Sequence, residues 1–191
     1  GFVSRNQSRY RFFVLTPPGL DGTPARALPP ESTSYSEQSW TRRLERDLLD
    51  LIRREKLSQP VVLAHGFPGS TAAEELALQH PEEIGGVIDV AAMPARSFPS
   101  PKDPTGKTAG TAEEREQLVN GLALKWFKYV TPETWESNNY RVEMFLNDET
   151  RGEQVRRQIE SAPLEVKIRY LAESMAADLN SHYPQLKVPL L

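Results

Sequence analysis

The chain has 191 residues, with 38% hydrophobic and 26% charged side chains, a balance that fits a soluble globular protein and excludes a disordered one. A net charge of −3 gives no basic field for nucleic acid, and the absence of cysteine removes disulfides and thiolate metal sites. No apolar run is long enough to span a bilayer, and the start, Gly1 to Asn6, has neither an initiator Met nor the apolar core of a signal peptide.

In chain order, Arg11 to Thr16 is a β-prone run closed by Pro17-Pro18-Gly19. A loop rich in Gly, Pro and Ser follows, to about Ser36. Ser34 and Glu37 have capping-box spacing, and Leu44, Leu48, Leu51 and Ile52 fall on one face of a helix. The other face carries Arg42, Arg43, Glu45, Arg46, Asp50 and Arg53, which reads as a solvated surface. Val61-Val62-Leu63-Ala64 is a strand of the kind buried in a parallel sheet. A sharp turn, His65 to Gly69, leads into a helix with Ser70 or Thr71 near its N-cap, closed at His80-Pro81. Gly85-Gly86 then opens a second buried-type strand, Val87 to Ala92. Strands alternating with helices predict a parallel sheet with right-handed crossovers.

The composition changes at Met93. Pro94 to Gly110 is a loop or linker rich in Pro, Ser, Gly and Lys. Three helical patterns follow: one opened by Thr111 and Glu114, one by Thr131-Pro132, and one from about Glu153 to Leu179 that Pro163 breaks or kinks. Val188 to Leu191 reads as a returning strand, and the chain stops inside that apolar run. The expected organisation is core at 1–93, helical cap at 94–184 and return strand at 185–191, within a longer parent protein.

The turn from Val61 to Leu78 carries the chemistry. A tight strand-to-helix bend exposes one residue at the carboxyl edge of a parallel sheet. The next helix aims its N-terminal N–H groups at the same spot, where developing negative charge would be stabilised.

Pro60 to Ser70, with Glu75 to Glu82 and Gly86 to Val90, resembles the α/β-hydrolase superfamily around its nucleophile elbow. Leu15 to Pro24 resembles that family's fourth-strand exit. The resemblance implies a partial α/β core with an inserted cap, of the esterase, epoxide-hydrolase or dehalogenase kind. It implies a hydrolase of a small apolar ester or related substrate, without a cofactor. The alternative is a non-catalytic relative that binds a small ligand between cap and sheet.

By this resemblance His65 holds the elbow His position, and Gly66 falls where the nucleophile belongs. Three readings stand: the site is inert, Ser70 serves through a longer turn, or the sequence is altered or spliced here. Gly66, Phe67 and Gly69 are the candidate oxyanion and elbow backbone. Trp126 and Trp135 are candidate pocket walls, with plain cap packing as the competing role. No complete triad is present. His80 sits at a helix end, His182 reads as surface loop, and Asp89 is either an acid at the sheet edge or a hydrogen-bonded strand-end residue. Three His without ligand spacing give no metal site, and compartment and oligomeric state are not readable.

Overall fold

The computed structural model describes residues 1–25, 39–91, 149–177, 179 and 182–191. Within these, helix α1 spans Phe2–Asn6 and α2 Trp40–Arg54. Strand β1 (Val61–His65), helix α3 (Gly66–Gln79) and strand β2 (Gly86–Val90) follow. Helices α4 (Glu149–Ser161) and α5 (Leu164–Ala176) and a 3-10 turn at Tyr183–Gln185 come last.

β1 and β2 pair in parallel, Val61 opposite Gly86 through His65 opposite Val90, with α3 as the crossover. The chain end lies along the far side of β2. Val87 N–H donates to Pro189 O, Leu191 N–H to Val87 O, and Asp89 N–H to Leu191 O. Val87 and Leu190 form a parallel bridge. The parallel strand–helix–strand unit thus forms where apolar runs bounded by Pro60 and Gly85-Gly86 predict it.

The side chains of a strand alternate between faces. Val62, Ala64 and Val87 pack under Leu49 and Ile52 of α2 and Ala73, Leu76 and Ala77 of α3. The other face leaves Val61 60%, Leu63 53% and Val90 44% exposed. Helix α3 is buried at nearly every position from Pro68 to Ala77, because strands, α2 and α5 surround it. That explains its apolar composition, since a helix wrapped on all sides has no solvent face to make polar.

Three expectations are revised. Arg11 to Thr16 forms no strand among the described residues, having no neighbouring strand to take up its backbone groups. The cap of α2 is Ser39, whose Oγ accepts from Arg42 N–H at 3.2 Å; Ser34 and Glu37 lie outside the described residues. Glu45, assigned to the solvated face, is 7% exposed and faces His80. The helical pattern from Glu153 to Leu179 forms as two helices with Pro163 between them. The stretch from Ala92 to Asp148, most of the expected cap with Trp126 and Trp135, lies outside the described residues.

Candidate ligand site at the strand–helix elbow

β1 ends at His65 with extended backbone, and Gly66 then turns with φ +55°. This left-handed value suits glycine. A Cβ built on Gly66 would meet nothing within 4 Å, so the apex points into open space. Phe67 returns to extended geometry (φ −94°, ψ 146°) and the regular turns of α3 begin at Pro68. Pro at a first helical position loses no hydrogen bond. The sequence reading put this start near Ser70 or Thr71; the phenylalanine and proline move it forward. The first N–H groups of such a helix have no intrahelical acceptor and carry partial positive charge. Here they lie at the carboxyl ends of β1 and β2.

A cleft of about 530 Å³ opens at this apex. His65, Gly66, Phe67 and Pro68 form its floor. Leu15, Thr16, Pro17, Leu20 and Asp21 form one wall, and Val155, Ala162, Lys167 and Tyr170 of α4, α5 and their junction the other. A neighbouring cavity of about 520 Å³ shares His65, Phe67 and Pro68, reaches Gly69, and runs along α2 through Leu44, Leu48 and Leu51. Both volumes match small-molecule sites, and their lining is mostly apolar.

The expected site residues divide. His65, Gly66, Phe67 and Gly69 line these cavities. Ser70 lines neither: it is 4% exposed, and its Oγ is sealed without a hydrogen-bond partner. The imidazoles of His80 and His182 are engaged elsewhere. His80 Nε2 lies 3.5 Å from Glu45 Oε1, and its Nδ1 lies 3.8 Å from Glu82. His182 Nδ1 lies 3.3 Å from Gln185 Nε2. Burial raises the Glu45 carboxyl above its ordinary range, opposed by His80 and two arginines. Among the described residues no group of three or more His, Cys, Asp or Glu could hold a metal ion.

Two buried acidic centres flank the elbow, and of their carboxyl residues the sequence singles out only Asp89. Glu173 of α5 is fully buried and accepts from Ser39 Oγ, Trp40 N–H, Thr41 N–H, Thr41 Oγ1 and Arg169 Nε, at 2.6 to 3.1 Å. It seals the N-terminus of α2. Glu74, in the middle of α3, accepts from Tyr183 Oη at 2.9 Å. Burial and the adjoining Asp89 carboxyl push Glu74 up to about 8, and the same burial with Glu74 pushes the Tyr183 phenol upward. For Glu74 the available signal is the Glu74-Glu75 pair inside an otherwise apolar helix.

No family model matches the sequence, and no curated protein does either. Solved structures do. An esterase from Exiguobacterium antarcticum superposes with a TM-score of 0.58 at 17% identity, over 91% of this chain and 58% of the esterase. The fold is of the α/β-hydrolase type. A serine hydrolase from Cycloclasticus zankles aligns more loosely, with a TM-score of 0.44 at 16% identity, over 79% of this chain and 51% of that one. The chain therefore spans little more than half the length of these hydrolase-fold neighbours. No helix among the described residues is long and apolar enough to cross a membrane.

Proposed function

We propose that the elbow cleft is the substrate site of an α/β-hydrolase-type hydrolase acting on a small apolar ester or related compound. In this reading residues 1–93 are core, 94–184 a cap contributing Trp126 and Trp135, and 185–191 a return strand. The observation that carries it is the convergence at Gly66: strand ends, helix N-terminus and an apolar cleft meet at one point. An ester placed there would set its acyl chain against Leu15, Leu20 and Tyr170, with its carbonyl oxygen toward the N–H groups that follow the elbow.

Within the described residues no nucleophile–base pair is assembled. Gly66 has no side chain, and Ser70 Oγ is sealed away from the cleft without a hydrogen-bond partner, so His65, which lines the cleft, is not paired with it. These facts favour a second reading, a ligand-binding protein on a hydrolase fold. From the described residues alone, both readings predict binding without turnover.

The test is a chromogenic short-chain ester offered to the chain and to Ser70→Ala, with binding followed by thermal shift. The expected outcome is a ligand-dependent rise in Tm in both and hydrolysis in neither. A rate from the chain that Ser70→Ala abolishes would establish Ser70 as nucleophile and displace the binding-only reading. No shift with any short-chain ester would remove the cleft as a substrate site.

A further inference from the structure

Helix α3 carries a carboxyl group where almost nothing reaches solvent. Glu74 is 4% exposed, and both Asp89 carboxyl oxygens are sealed. Tyr183 Oη donates to Glu74 Oε2 at 2.9 Å, and the Asp89 carboxyl adjoins Glu74. Neither Asp89 oxygen has a donor while both acids are ionised. The Tyr183 hydroxyl is thus the donor to a pair that presents four carboxyl oxygens.

Among the described residues no cation is placed to balance the pair. The groups that act on Glu74 are Asp89 from β2, Tyr183 from the 3-10 turn and Glu75 from its own helix. From α2, Arg42 and Arg46 act on Glu45 instead. From α5, Arg169 is bound to Glu173. β1 brings only His65, at its exposed end. Two adjoining carboxylates in such surroundings cannot both stay ionised without a large cost. A proton on one supplies the missing donor and removes the repulsion.

We infer that Glu74 keeps its proton in the folded chain and donates it in a hydrogen bond to the partnerless Asp89 oxygens, and that this bond is a clasp fastening α3 to β2 and to the Tyr183 turn. The turn leads directly to the chain end that pairs with β2, where Asp89 N–H donates to Leu191 O. One residue therefore joins the clasp and the last strand contact. When base takes the proton, the pair becomes two carboxylates with one hydroxyl donor, and they repel. The clasp opens as pH rises, loosening residues 182–191 first.

The direction follows from linkage. The folded chain holds the Glu74 proton up to about pH 8, whereas its ordinary value is 4.5. Between those values folding takes up a proton, so the stabilisation is complete below about pH 4.5 and is lost as pH climbs through about 8. Through that window one linked proton changes the folding equilibrium constant by up to about tenfold per pH unit.

The experiment measures urea unfolding at pH 5, 6, 7, 8 and 9 for the chain, for Glu74→Gln and for Asp89→Asn. The amide of Glu74→Gln donates to Asp89 at every pH and its carbonyl still accepts from Tyr183. That variant should lose the about tenfold-per-unit decline and gain on the parent above pH 7. Asp89→Asn should shrink the decline, and it serves alone if Glu74→Gln does not fold. Parallel pH profiles for the parent and whichever variants fold would overturn the clasp. So would a parent whose unfolding at pH 7 releases no more protons than that of Glu74→Gln.

Discussion

Among single residues, Glu173 has the largest predicted effect. It accepts five hydrogen bonds, including one from Arg169, itself 5% exposed. Removing a buried partner leaves a charge and several donors unmatched, a loss of about 3 to 5 kcal/mol. Glu173→Ala should therefore lower the urea-unfolding free energy by about that amount, and a loss under about 1 kcal/mol would show that water or relaxation replaces the carboxylate. Nothing in the sequence discloses this contact, because Ser39 and Glu173 are 134 positions apart. Gly66 is the opposite case. A turn after an apolar strand makes the glycine readable, and the structure shows its use at φ +55°. Gly66→Ala meets no steric contact, so its cost should be the conformational one, about 1 kcal/mol by urea unfolding.

Among the elements, those with few rivals were readable. β1, α3 and β2 are short apolar runs cut by Pro and Gly, and their order and parallel pairing follow from that punctuation. The run from Arg11 to Thr16 has the same β-prone chemistry without the outcome. A strand needs a partner as well as propensity, and the partner is not encoded locally. The charged face of α2 departs from its periodicity at Glu45 for a related reason: periodicity assigns a face but not the neighbour, here His80, that covers it. β1 itself illustrates the consequence of a missing neighbour. Among the described residues it pairs on one side only, and Val61 and Leu63 stand exposed beside that edge. Uncharged, exposed edges promote strand pairing between molecules. Leu63→Lys should leave stability within about 0.5 kcal/mol and reduce concentration-dependent light scattering. Unchanged scattering would mean that self-association, if any, runs through another surface.

At the scale of the whole molecule, distant parts of the sequence converge beside the cleft. Trp40 at the start of α2 meets Tyr170 of α5 edge to face at 5.2 Å, and Val166 and Leu20 complete the cluster. Tyr170 Oη donates to Pro18 O at 3.1 Å, which anchors the loop that forms one cleft wall to the helix that forms the other. Gly19 makes the approach close enough. Its φ is +85°, and a Cβ there would lie 2.8 Å from Val166 Cγ1 and 3.0 Å from Cγ2. Valine is branched at Cβ and fully buried here, so it has no free rotamer to yield. Gly19→Ala must then push the loop from α5, combining overpacking with an unfavourable left-handed residue, for about 2 to 4 kcal/mol. The same displacement parts Leu20 from Tyr170 and widens the cleft. Thermal unfolding should therefore fall together with the ester-induced rise in Tm. If stability drops while the ligand shift keeps its full size, the two walls are not mechanically joined through Gly19, and the cleft is shaped by the elbow alone.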